Sequence, residues 1–257
     1  MAEALVKGII DSDLLLSSSV TAGDIDQDRL NYLNNIYGIK TTTDNDEAVA
    51  SSDIILLAVK PQHIDEVIFS LNKSDISSKI FISIAAGITT DRLVRLFESK
   101  IKLARVMPNF PALVGKGLSA LYFSSDFSKK DKERVTAIFS SVGETIEIDE
   151  SLMDQVTAIS GSGPAYFFYF VRSLISAATD IGLDGDIASK LVFSTMEGSS
   201  RMLSVEDKGP TELIKMVASK GGTTEAALEL FEREGISDII TRGIEAALKR
   251  AAELDSS

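Results

Sequence analysis

The chain has 257 residues, 44% of them hydrophobic and 25% charged, with a formal net charge of −12. That balance is ordinary for a globular protein and argues against a disordered chain, and the length is ample for a buried core. The acidic charge argues against nucleic acid or an anionic membrane surface as a main partner. Cysteine is absent and His63 is the single histidine, so there is no disulfide framework and no basis for a cysteine or histidine metal site. Apolar runs such as residues 54–59 are far too short to span a bilayer. The opening Met1-Ala2-Glu3-Ala4-Leu5-Val6-Lys7 reads as an amphipathic helix start with no signal-peptide pattern, and the expected location is the cytoplasm.

Through residue 148 strand and helix signals alternate. Residues 19–23 read as a short strand, 26–37 as a helix ended by Gly38, and 39–42 as a second short strand. Residues 54–59, a continuous apolar run between Asp53 and Pro61, have the composition of a strand buried on both faces. Pro61 suits the first position of a helix running to about residue 71. Residues 79–84 form another apolar strand, and Ala85-Ala86-Gly87 turns the chain into a helix from Thr90. Strands at 103–107, 118–124 and 144–148 follow, with a helix over 128–141. The alternation implies a mostly parallel, doubly wound α/β sheet. Beyond Asp149 the strand signals stop. Helical patterns run from Leu152, over 164–181 and 184–203, and from Thr211, Thr224 and Ile236, so a domain of residues 1–149 is followed by an all-helical one of 150–257.

The densest chemistry lies in PTELIKMVASKGGTTEAALELFE, residues 210–232. An apolar helical run ends at Ser219, Lys220-Gly221-Gly222 break it, and Thr223-Thr224 open the next helix. A helix start behind two glycines gathers unpaired backbone N–H groups at the positive end of a helix dipole, with the hydroxyls of Ser219, Thr223 and Thr224 around it. Such a place suits a small carboxylate with a polar atom beside it. The same residues also suit an ordinary helix–loop–helix corner capped by threonine.

Other features read more plainly. Gly115-Lys116-Gly117-Leu118-Ser119-Ala120 fits a dinucleotide glycine pattern but leads into a strand, so it is a turn. His63 on its helix is solvated or capping. Asp24 and Asp26, just after the strand signal at 19–23, fit a contact to an adenosine ribose and equally fit turn and N-cap roles. The run Tyr166-Phe167-Phe168-Tyr169-Phe170 is too continuous for one core face, and it suggests helical core together with a subunit interface.

The segment at 210–232, with V-A-S-x-G-G-x-T after a proline, resembles the C-terminal signature of pyrroline-5-carboxylate reductases. Ala58-Val59-Lys60-Pro61 is similar to that family's turn at the nicotinamide ribose, and Ser83-Ile84-Ala85-Ala86-Gly87 to its next strand-end loop. Arg105-Val106-Met107-Pro108-Asn109-Phe110-Pro111 resembles the element whose asparagine faces the cofactor. Ser160-Gly161-Ser162-Gly163-Pro164-Ala165-Tyr166 resembles the opening of its long helix. The resemblance implies a Rossmann-like cofactor domain over 1–149 and a helical substrate-binding and dimerisation domain over 150–257. It implies NADP(H) or NAD(H) as cofactor, held by Ala58, Val59, Lys60, Pro61, Ala86, Gly87, Asn109, Ser160 and Gly161. The small-molecule substrate, 1-pyrroline-5-carboxylate, is expected at Ser219, Gly221, Gly222, Thr223 and Thr224, with Thr224 at the ring nitrogen. A homodimer, often built into a ring of dimers, is the expected assembly.

Met1-Ala2-Glu3-Ala4-Leu5 resembles the helix that follows the family's glycine turn, so the first strand and that turn are expected to be missing from this sequence. A 3-hydroxy-acid dehydrogenase shares the two-domain plan but needs a lysine early in the helical domain, and none occurs between Lys132 and Lys190. A non-catalytic oligomeric protein built on the helical domain is the other alternative.

Overall fold

The structure, a computed structural model, describes residues 1–72 and 76–255. The chain divides into two compact units, residues 1–162 with 247–257, and residues 163–246. The first unit begins with α1 (Ala2–Asp11), β1 (Thr21–Gly23), α2 (Gln27–Tyr37), β2 (Lys40–Thr42), α3 (Asn45–Ala50) and β3 (Ile54–Leu57). It continues through α4 (Ile64–Ser70), β4 (Ile80–Ser83), α5 (Thr90–Phe97), β5 (Lys102–Met107), β6 (Gly117–Phe123), α6 (Lys129–Ser140), β7 (Gly143–Glu147) and the short α7 (Met153–Val156). Local chemistry sets the helix starts. Asp26, Asp44, Thr89 and Ser128 each accept hydrogen bonds from first-turn N–H groups of α2, α3, α5 and α6, a cap that contributes about 1 kcal/mol.

Among the described residues the strands form two sheets. β1 and β2 pair in parallel, and the second sheet has the order β3-β4-β5-β6-β7, parallel except where β5 meets β6. Side chains on β4 alternate between two cores, as the period of a strand requires. Phe81 packs with Ile64, Ile68, Leu93, Phe97 and Leu103 on the face covered by α4 and α5. Ile80 and Ile82 pack with Leu5, Val135 and Phe139 on the face covered by α1 and α6. Phe81 and Phe97 are fully buried with ring centroids 4.6 Å apart. Helices on both faces are the doubly wound arrangement, and central β4 is buried throughout.

The sequence reading differs at two places. Residues 54–59 read as a strand buried on both faces, whereas β3 stops at Leu57 and only Leu57 in it is fully buried. β3 is the edge of its sheet, so Ile54, Ile55 and Leu56 keep partial exposure. After Pro61 the chain takes one 3₁₀ turn, Pro61–His63, before α4.

The second unit is helical. It holds α8 (Gly163–Asp180), α9 (Gly185–Val205), α10 (Pro210–Val217), α11 (Thr223–Arg233) and the start of α12 (Ile236–Asp255), whose last turns belong to the first unit. Along α8 only Gly163 and Val171 are buried, while Phe167 is 67% and Tyr169 64% exposed. An apolar face of that breadth has the character of an interaction surface.

α1 and α2 are joined by one carboxylate. Glu3 accepts from the Arg29 guanidinium at 2.5 Å, the Tyr37 hydroxyl at 2.9 Å and the Tyr32 hydroxyl at 3.1 Å. The hydrogen bond from Arg29 holds Glu3 below the ordinary carboxylate range, while burial and then Glu3 push Tyr37 up to about 12. A carboxylate with a depressed folded-state pKa stabilises the fold above its unfolded value, and this contribution is lost as pH falls through the folded one. Thermal melts of wild type and Glu3→Gln across the acid limb should show the wild-type Tm falling more steeply, with the gap closing at the lowest pH. Parallel acid limbs would contradict the anchor.

Candidate active site

The parallel register pairs Leu57 with Ser83 and Ser83 with Arg105, so β3, β4 and β5 reach their carboxyl ends side by side. In open parallel sheets ligands bind in the crevice outside those ends. The residues that follow β3, β4 and β5 are the ones singled out from sequence. Ala58 to Pro61 leave β3, with Ala58 and Lys60 exposed, and among the described residues Lys60 makes no ion pair. Ala85 to Gly87 leave β4, the turn bonded to its neighbour through Ile84 N–H to the Leu57 carbonyl at 3.3 Å. Gly87 has φ 75°, and a Cβ there would lie 2.4 Å from Leu254 Cβ and 2.9 Å from the Ala251 carbonyl, so only glycine fits between this loop and α12.

Asn109, just past β5, uses both ends of its amide within the chain. Its Nδ2 donates to Ser160 Oγ at 3.1 Å, and its Oδ1 accepts from Leu118 N–H at 3.0 Å. The bond to Ser160 joins the β5 loop to a π-helical turn, Thr157–Gly161, an irregularity common at functional sites. The structure thus brings Ala58–Pro61, Ala86, Gly87, Asn109, Ser160 and Gly161 to the loops at and beyond the strand ends of this unit.

In the second unit, Ser219, Gly221, Gly222, Thr223 and Thr224 occupy one tight connection between α10 and α11. Gly221 has φ 73°, and a Cβ on Gly222 would lie 2.6 Å from Ser219 Oγ. The N-cap of α11 is Gly222, so no side chain caps that helix. Among the described residues the hydroxyls of Ser219, Thr223 and Thr224 make no intrachain hydrogen bond. The threonine-capped corner considered from sequence is therefore not the arrangement found. One carboxylate already sits on the loop: Glu225 Oε2 accepts from Gly221 N–H at 2.6 Å.

A family profile described as pyrroline-5-carboxylate reductase dimerisation matches residues 150–254, and one described as NADP oxidoreductase, coenzyme F420-dependent, matches residues 1–87. The pyrroline-5-carboxylate reductase of Synechocystis sp. is 35% identical over 254 residues, covering 99% of this chain and 94% of that protein. The chain belongs to the pyrroline-5-carboxylate reductase family. Among solved structures, the Coxiella burnetii pyrroline-5-carboxylate reductase superposes with a TM-score of 0.90 at 30% identity, covering 100% of this chain and 95% of that one. The Plasmodium falciparum pyrroline carboxylate reductase with NADP bound gives 0.89 at 31%, covering 98% and 93%.

The reductase also contains a charged network that the sequence reading did not single out. Arg105 on β5 is 5% exposed. Its guanidinium reaches Glu150 and Asp154, each at 3.3 Å. Glu150 in turn accepts from the Thr90 N–H at 2.7 Å and the Thr90 hydroxyl at 2.5 Å. The start of α5, the end of β5 and the approach to the π-helical turn are thereby clamped together. A charge inside Lys102-Leu-Ala-Arg-Val-Met107 was the available signal, because a buried arginine has to find carboxylates. Arg105→Ala leaves two carboxylates without their cation and should cost roughly 2–3 kcal/mol in a urea melt. Arg105→Lys, which keeps the charge but not the fork, should fall between. Equal stability of wild type and Arg105→Ala would contradict the clamp.

Proposed function

We propose that this reductase converts 1-pyrroline-5-carboxylate to L-proline with NAD(P)H, and that residues 219–224 hold the substrate. The observation that carries this reading is the connection at 219–224 in a chain that matches a family member over 94% of that protein's length: an uncapped helix start, free hydroxyls and a carboxylate already bound to a loop N–H. Residues 150–257 act as the substrate-binding and dimerisation domain, and residues 1–149 as the cofactor domain.

The donor set at the strand ends fits a dinucleotide, with exposed Lys60, the backbone of 85–87 and the loop set by Asn109. When bound there, NAD(P)H supplies a hydride to the imine carbon of the ring. The protein's own work is positioning, which accounts for much of the barrier in such reactions. Ser219 and the Thr223 N–H, at the positive end of α11, take the substrate carboxylate, while the Gly222 N–H closes the turn by donating to the Ser219 carbonyl at 2.9 Å. Gly221 completes the turn, its own N–H engaged by Glu225. The Thr224 hydroxyl bonds the ring nitrogen as the C=N electron pair moves onto it. A threonine is too weak an acid to protonate that nitrogen, so the proton comes on the substrate or from water.

The dimerisation segment makes the enzyme a homo-oligomer, and the broad apolar face of α8 supports pairing through the helical unit. A ring of dimers is the larger assembly we propose. Among the described residues no helix is long and apolar enough to cross a membrane. The acidic, cysteine-free composition supports a cytoplasmic location and no nucleic-acid partner.

The test is NAD(P)H oxidation dependent on 1-pyrroline-5-carboxylate, with proline identified as product. Thr224→Ala should lose about ten- to a hundredfold in kcat, the equivalent of one hydrogen bond to a charged group at roughly 1.5–3 kcal/mol, with nucleotide affinity unchanged. A wild type that leaves pyrroline-5-carboxylate untouched and reduces a 3-oxo acid would refute the reading. Unchanged kinetics in Thr224→Ala would remove that hydroxyl from the site.

A further inference from the structure

α1 resembles the helix that follows the family's glycine turn, which makes β1 the strand after it; the carboxyl end of that strand is where a dinucleotide's adenosine ribose is met, and two carboxylates compete for that role. The structure separates them. Asp26 is the N-cap of α2, its Oδ1 accepting from the N–H groups of Asp28 and Arg29. Asp24 is the first residue past β1. Its N–H donates to the Thr42 carbonyl at 3.3 Å, holding it at the end of the β1–β2 pair. Its Oδ1 accepts from Asp26 N–H at 3.0 Å, and the whole residue is exposed.

What surrounds Asp24 decides which ribose it suits. A 2′-phosphate needs a cation, and between Asp24 and Glu47 the only cations are Arg29 and Lys40. The Arg29 guanidinium is bonded to Glu3 at 2.5 Å and lies over the Tyr32 ring, 5.1 Å from its centroid. Lys40 opens β2, at the other end of the pair from Asp24. Past the end of β2 come Asp44, Asp46 and Glu47, and Asn45 lies against Gly23, the last residue of β1. Among the described residues a 2′-phosphate brought here meets carboxylates, the Arg29 guanidinium that interacts with Asp24 being already bonded to Glu3, whereas a ribose diol meets an acceptor in Asp24.

We propose that Asp24 makes the adenosine-ribose site selective for an unphosphorylated 2′-hydroxyl, so that this enzyme takes NADH in preference to NADPH. The proposal rests on the reading of the chain as a dinucleotide-dependent reductase. It sets this chain apart from the Plasmodium falciparum relative, whose structure holds NADP.

Fluorescence titration of the full chain with NADH and with NADPH reads the preference without turnover. NADH should bind about tenfold or more tightly than NADPH, because like-charge contacts act against the second nucleotide alone. Asp24→Ser removes the acceptor and one negative charge, so it should weaken NADH and strengthen NADPH, collapsing the ratio towards unity. Raising the salt concentration should narrow the wild-type ratio by screening the repulsion. Equal affinities in wild type, tighter NADPH, or a ratio that Asp24→Ser leaves unchanged overturns the proposal and leaves the reductase reading standing. Failure to bind either nucleotide overturns both.

Discussion

The parallel register of β3, β4 and β5 is the constraint on which the rest of the first unit depends. Parallel strands cannot be joined by tight turns, so each carries a crossover that returns the chain to the opposite end of the sheet. With Leu57, Ser83 and Arg105 in register, the three chain segments that leave the strands emerge side by side. Backbone polarity then finishes the job, since loop N–H and carbonyl groups that are not in the ladder must face water, side chains or a ligand. Those loops are where we propose that the dinucleotide binds.

Holding such loops still requires interactions that the sheet does not provide. Arg105 in a buried strand is costly unless its charges are matched, and Glu150 with Asp154 match them. The return is geometric: the same two carboxylates lie just before the π-helical turn that Asn109 grips through Ser160. The helical unit applies the opposite economy. Its Gly221-Gly222 break leaves the start of α11 without a side-chain cap, and a carboxylate, that of Glu225, settles on the Gly221 N–H. These are two ways of storing polarity, one by saturation and one by leaving it open.

Much of this was legible in the sequence because it is local. Gly38 ends α2 as a helix stop should, Ser128 caps α6, and the Lys220-Gly221-Gly222 break falls between α10 and α11. What was hidden is non-local. α3 is six residues long, too short to show a helical period. The partial exposure of β3 follows from its place at a sheet edge, which composition does not encode. The bond from Asn109 to Ser160 spans 51 residues, and the pairing of Arg105 with Glu150 spans 45. No spacing rule reaches that far. Asp24 and Asp26 were indistinguishable as letters, and became distinct only once the α2 cap was assigned.

The central claim is that the segments at and beyond the carboxyl ends of β3, β4 and β5 form one nucleotide-binding edge. Hydrogen–deuterium exchange of the full chain with and without saturating NADH tests it most directly. The account predicts slowed exchange at residues 58–61, 84–88, 107–110 and 159–161 together. Protection confined to the helices of 163–246, or absent from those four segments while the nucleotide is bound, would contradict it.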